Sequence, residues 1–215
     1  MRRRALILWL HALQAVDRLR LAWLRGRPGL EIHADASTNL AVARYVVAPD
    51  ARVRIGARVV TERIPGALQI YAESGAEIEV GEGSWLRTEV GPIHLVAFRG
   101  ARLVIGPDAL LNACHLSAKS RVELGRRVWV GMGTRIFDAD QHDLDAERPE
   151  VVDPVRVGDH AWIASDVTVL RGVRIGEHSI VGTRSLVTRD VPPHSLAFGQ
   201  PARTRGIVGD RSKTR

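Results

Sequence analysis

The sequence predicts a mainly-β chain: a parallel β-helix preceded by an N-terminal α-helix. Three observations carry this. From Val157 to Val187 the chain reads in blocks of six, VGDHAW, IASDVT, VLRGVR, IGEHSI, VGTRSL, each opened by an aliphatic residue: Val157, Ile163, Val169, Ile175, Val181, Val187. A longer phrase recurs from Ala51 onward, ending at Gly56, Gly81, Gly106, Gly125, Gly158 and Gly176. The first 25 residues have apolar positions at helical spacing instead. A six-residue period fits neither an amphipathic helix nor a simple alternating strand. It fits short strands joined by tight corners, three hexads to a coil, each coil stacked on the last.

Residues 1–29 form the first element. Leu6, Trp9, Leu10, Leu13 and Val16 lie at helical spacing, followed by Trp23 and Leu24, and Gly26, Pro28 and Gly29 end the helix. His11, Gln14 and Asp17 interrupt the apolar run, so the segment is too polar to span a bilayer. MRRR before ALILWL resembles the start of a signal peptide, but DRLRLAWLR follows without a small-residue cleavage site, and secretion is not expected. The arginines Arg2, Arg3, Arg4, Arg18, Arg20 and Arg25 around an apolar stripe also suit a membrane surface. Packing on the first coil or on a partner subunit is the simpler expectation.

Residues 30–199 form the solenoid. The intervals between the recurring glycines are 25, 25, 19, 33 and 18 residues. Only the last is one undecorated coil, and extra residues in a solenoid are expected to emerge as loops on one side. The hexads LGRRVW, VGMGTR and IFDADQ fill Leu124 to Gln141, so the largest excess is the loop 142–156 and the chain should leave the coil at His142. A loop of that size usually serves function. Asp190 to Pro193 should turn sharply, because two prolines cannot join a ladder. Residues 200–215 form a C-terminal segment whose end, from Arg211, is expected to fray.

The 215 residues carry 31 Lys and Arg against 24 Asp and Glu, a net charge of +7. Such a balance suits an anionic partner: a nucleotide cofactor, an acidic glycan, a membrane face or nucleic acid. Aromatic content is 5% and no nucleic-acid motif is visible, so nucleic acid is not expected. The single cysteine, Cys114, excludes an intrachain disulfide, and among Leu111, Leu116 and Ala118 it reads as a core side chain rather than a nucleophile.

Asn112, the block FDADQH ending at His142, HAWIASDV around Trp162, VGTRSLVTRDVPP and GQPAR ending at Arg203 stand in a characteristic order. In this the chain resembles the hexapeptide-repeat acyltransferases, especially the maltose, galactoside and polysaccharide O-acetyltransferases. The resemblance is closest from Asn112 to Arg203. It implies a left-handed β-helix, a homotrimer with active sites between subunits, acetyl-CoA as cosubstrate and a sugar or glycan acceptor. The chain is expected in the cytoplasm, or at the inner face of the membrane if the helix meets it.

His142 is the candidate base. Acyl transfer to a hydroxyl needs a group that takes a proton near neutral pH, as imidazole does. His115 and His160 lie within coils and match no base of the family. Asp140 is the first candidate to orient His142, with Asp138, Asp143 and Glu147 as competitors. Asn112 corresponds to the substrate-site amide of the resembling enzymes and can both donate and accept hydrogen bonds. By resemblance, Trp162 and Ser165 meet the pantetheine arm, together with Gly182, Thr183 and Arg184. Thr188, Arg189 and Arg203 are expected toward the nucleotide end, where the planar guanidinium fits phosphate. This chain departs from the family at Ala164, Thr183 and Arg184, where smaller residues are usual. No metal is expected. A γ-type carbonic anhydrase would need three metal-binding histidines, for which no convincing set appears. The other alternative is a non-catalytic β-helix scaffold or surface-binding module.

Overall fold

The computed structural model describes residues 2–214. A helix, Arg2–Arg25, precedes a left-handed parallel β-helix whose three faces carry seven, eight and seven strands. The first-place residues Val157, Ile163, Val169, Ile175, Val181 and Val187 are all buried. So are the fifth-place residues Ala161, Val167, Val173, Ser179 and Ser185, which fill the narrow corners. Strand side chains alternate between faces, so each two- to five-residue strand turns its aliphatic position inward and the next outward. The recurring glycine has a steric cause. A Cβ on Gly81, Gly158 or Gly176 would come within 2.5, 2.6 or 2.2 Å of a backbone nitrogen in the following coil.

The outward positions give each face its own chemistry. One face bears rows of opposite charge, including Arg52, Glu77, Arg102 and Arg121, with ion pairs such as Arg156–Glu123 at 3.2 Å. The second stacks Val60, Trp85, Leu110, Trp129, Trp162, Ile180 and Leu196. The third stacks Gln69, His94, His115, Arg135, Thr168 and Leu186. A terminal antiparallel hairpin, Ser195–Gly199 with Ala202–Ile207, closes the aromatic face.

Four expectations need correction. The extra residues of the two 25-residue coils do not all emerge as loops. Part of them lengthens third-face strands to five residues, Leu68–Ala72 and Ile93–Ala97, which widens those coils. The large excursion begins at Ala139 rather than His142. Ala139 forms an antiparallel bridge with Val152, and the Asp153 N–H donates to the Asp138 carbonyl at 2.8 Å. The helix docks through Leu21, Leu24 and Asp17, all buried, with Leu13 half-buried beside them. Asp17, which breaks the apolar run, lies on the docked face because Arg63 clasps it with two hydrogen bonds of 2.6 and 3.0 Å. Trp9, Leu10, Val16 and Trp23 of the expected stripe point outward, while the side chains of Leu6, Arg2, Arg3 and Arg4 lie outside the described residues. Finally, the tail does not fray at Arg211. Arg127 donates to the carbonyls of Ser212 and Thr214 at 2.6 and 3.1 Å, and the Arg211 N–H donates to His178 Nδ1 at 2.9 Å.

The base of the excursion hangs on Asp138. Its buried carboxylate accepts the N–H groups of Lys119, Ser120 and Arg121 at 2.8, 2.7 and 2.6 Å. From the same corner, Lys119 Nζ reaches Glu150 at 2.7 Å and the Gln141 carbonyl at 2.9 Å. Replacing Asp138 with Ala orphans three donors, so Asp138→Ala should lower the unfolding free energy by about 3 kcal/mol, at the upper end for a charge-assisted bond. Chemical denaturation measures this, and a change below about 1 kcal/mol would contradict the role.

Candidate functional site

His142 lies three residues into the excursion, is exposed, and makes no side-chain hydrogen bond among the described residues. The carboxylate beside it is already engaged: Asp140 Oδ1 accepts from Arg171 Nε at 2.7 Å. That bond and the adjacent positive charge hold the Asp140 carboxyl below the usual carboxylate range, against a smaller opposing effect of burial. Among the competitors, Asp138 is committed to backbone donors and Asp143 accepts the Glu150 N–H at 2.7 Å. Among the described residues no carboxylate, Glu147 included, makes the orienting bond to His142. Asp140 instead lines a hollow of about 310 Å³ with Phe137, Gln141, Leu170, Arg171 and Thr188. Arg189 follows Thr188 and is exposed.

Asn112 ends a strand of the aromatic face, just before the same coil turns toward the third face. Its Nδ2 donates to the Val130 carbonyl at 3.3 Å, while its Oδ1 is enclosed without a partner. A buried acceptor left in this state is unfavourable unless something supplies a donor. Trp162 stands on the same face between Trp129 and Ile180, 39% exposed. Ser165 follows at the corner, and its carbonyl accepts the Arg184 N–H at 3.0 Å. Ala164 is buried, so its extra methyl packs into the solenoid wall rather than lining a channel. Gly182 is required by stacking, since a Cβ there would lie 2.9 Å from Phe198 Cβ. Thr183 and Arg184 are exposed, Arg184 at φ 59°, and Arg203 is exposed on the terminal hairpin.

These positions fall into two groups. Asn112, Trp162, Ser165, Gly182, Thr183, Arg184 and Arg203 follow the aromatic face and the corner after it. Asp140, His142, Thr188 and Arg189 lie past the far edge of the third face. The third face lies between them, its strands at this height being Arg135–Phe137, Thr168–Val169 and Leu186–Val187, a width of roughly 10 Å at about 3.3 Å per residue.

The histidines within coils have structural places. His94 and His115 stack at 5.4 Å on the third face, and burial, followed by the charges of His94 and Arg135, lowers the His115 pKa. His160, His178 and His194 occupy one corner at φ 58°, 57° and 55° and stack at 4.9 and 4.7 Å. Among the described residues no three His, Cys, Asp or Glu side chains are grouped to hold a metal ion. The sequence reading missed Arg211. Its guanidinium lies 5.4 Å from the rings of both Trp129 and Trp162, and its Nε donates to the His160 carbonyl at 3.0 Å. No motif marks Arg211; only the folding-back of the tail brings it there.

A left-handed parallel solenoid with a hexad period defines the class of hexapeptide-repeat proteins. The family described as bacterial transferase hexapeptide (six repeats) matches residues 154–189. Nodulation protein L of Rhizobium meliloti (strain 1021) is 38% identical over 132 residues, 60% of this chain and 69% of that protein. A galactoside acetyltransferase solved in complex with coenzyme A superposes with a TM-score of 0.53 at 28% identity, covering 65% of this chain and 68% of its own. The polySia specific acetyltransferase NeuO superposes with a TM-score of 0.60 over 88% of both chains at 17% identity, a likeness of fold. The chain belongs to the hexapeptide-repeat acyltransferase family.

Cys114 is buried, and burial pushes its thiol pKa well above the ordinary value, so it holds its proton at neutral pH. Cys114→Ala should leave turnover within about twofold, and maleimide reagents should not inactivate the folded protein. Loss of activity in a variant that melts normally would restore the cysteine as a candidate nucleophile.

Proposed function

We propose that the protein transfers an acetyl group from acetyl-CoA to a hydroxyl of a sugar or polysaccharide precursor, with His142 as general base. Similar proteins are acetyltransferases, some solved with coenzyme A bound, and the chain is an acetyl-CoA-dependent acetyltransferase. The acceptor class rests on the relatives named above and on the resemblance around Asn112 and His142. The observation that carries the mechanism is the exposed, unencumbered imidazole on the one large excursion from the coil. His142 takes the proton of the acceptor hydroxyl as its oxygen attacks the thioester carbon. A backbone N–H holds the oxyanion that develops. The carbon–sulfur bond then breaks, and the imidazolium returns the proton to the departing sulfur. With Cys114 protonated and buried, direct transfer without a covalent intermediate is favoured.

The division of the site residues between two edges of the third face supports a homotrimer. In a closed ring, the His142 edge of one subunit can meet the Trp162 and Asn112 edge of its neighbour. The charged face suits water, while the aromatic face leaves Trp85 and Trp162 partly exposed in the single chain. On this reading the protein works in the cytoplasm, where its acyl donor is found. One observation favours the alternative of a non-catalytic β-helix module: Arg211 lies over Trp162, the surface expected to meet pantetheine. Calorimetric titration with coenzyme A separates the two, because the non-catalytic reading requires no binding.

Two outcomes test the proposal. His142→Ala should lower kcat by about 10²- to 10⁴-fold with coenzyme A affinity nearly unchanged, whereas Trp162→Ala should mainly weaken binding. A His142→Ala variant with undiminished turnover would sink the mechanism. Sedimentation should give a trimer, and a fully active stable monomer would exclude sites shared between subunits.

A further inference from the structure

We infer that the outer side of the N-terminal helix is a docking surface for an anionic lipid bilayer, against which the helix lies flat. The docked side is complete in itself, with Leu21 and Leu24 buried and Asp17 clasped by Arg63. A second apolar stripe remains. Trp9, Val16 and Trp23 recur every seven residues with Ala12 and Leu19 between them, so they share one side of the helix. They are not covered: Trp9 is 58%, Val16 58%, Leu19 73% and Trp23 63% exposed. Four large apolar side chains in register on one helix are more than scattered surface hydrophobics.

Charge decides the occupant. Asp17 is the helix's single acidic residue, and it is buried and paired. The helix therefore shows exposed arginines and no exposed carboxylate: Arg20 flanks the stripe, Arg18 lies about a quarter turn beyond Leu19, and Arg27 just past the helix has its guanidinium 5.5 Å from the Trp23 ring. A second copy of the helix would bring these arginines together with no acidic partner on the helix. A bilayer bearing anionic headgroups supplies the missing charge, accepts the aliphatic side chains, and suits indoles at its polar boundary. No helix among the described residues is long and apolar enough to cross a membrane, so the contact is peripheral. The inference is independent of the proposed reaction.

Co-sedimentation of the full chain with extruded vesicles tests it. At low salt the protein should pellet with vesicles rich in phosphatidylglycerol and stay in solution with pure phosphatidylcholine, and its tryptophan emission should shift to shorter wavelength. The double variants Leu19→Ser/Trp23→Ser and Arg18→Glu/Arg20→Glu should each weaken vesicle binding at least roughly tenfold. Melting temperature should hold, because the altered side chains are exposed. Failure of the unaltered protein to bind phosphatidylglycerol vesicles would overturn the inference. So would binding that survives both double variants, since the attraction would then lie elsewhere on this basic chain. Dissociation of an oligomer by Leu19→Ser/Trp23→Ser, with vesicle binding intact, would assign the stripe to a subunit contact instead.

Discussion

Coil-to-coil stacking is the interaction on which the rest of this structure depends. At one corner, successive backbones approach so closely that a methyl group on Gly158 or Gly176 would overlap the next coil. That approach lets the parallel ladders run in register along all three faces and fixes the height at which each outward side chain sits. The interior left between the faces is narrow. Valine, isoleucine, leucine, alanine and serine fill most of it, and the tryptophans stand on the outside. Aromatic and basic residues have thereby been sorted onto surfaces where a ligand or partner can meet them.

Much of this architecture was legible in the sequence because it depends on local repetition. A buried aliphatic every six residues needs no knowledge of distant contacts, and Val157 through Val187 follow the rule without exception. The corner two residues after the stacking glycine demands positive φ in coil after coil. The chain meets that demand with Arg58, Asp108, Arg127, His160 and His178 as well as Gly83. Arg58, Arg127, His160 and His178 depart from the expectation that glycine, asparagine or aspartate fills such positions, so their role could not be read from type alone. The helix misled for a related reason. Asp17 looks like an interruption until Arg63, 46 residues later, is known to meet it.

The site shows the same boundary between local and long-range information. His142 could be singled out because an excursion from a strict period is visible as an excess of residues. Its surroundings could not, because they are set by pairings such as Asp140 with Arg171 and Lys119 with Glu150, each 31 residues apart. Asp138, Asp140 and His142 share one short motif yet go separate ways. The strand ends at Phe137, so the two-residue alternation no longer applies: Asp138 bonds the preceding corner and Asp140 reaches Arg171 of the following coil. Nor does sequence order reveal that residues as near as Arg189 and Arg203 leave the solenoid on different faces.

In a stacked solenoid, position along the chain is also height. Neighbouring strands lie about 4.8 Å apart, so each added coil lifts the next by that amount and leaves its lateral position nearly unchanged. The strand that launches the excursion, Arg135–Phe137, is the fifth on its face counted from the end that the helix covers. His142 therefore departs roughly 20 Å above the first coil. The coils between them act as a ruler. Inserting or removing one would change the reach from helix to imidazole in a discrete step while sparing the geometry at either end, so proteins of this architecture can tune the distance between an anchoring surface and a reacting group by counting repeats.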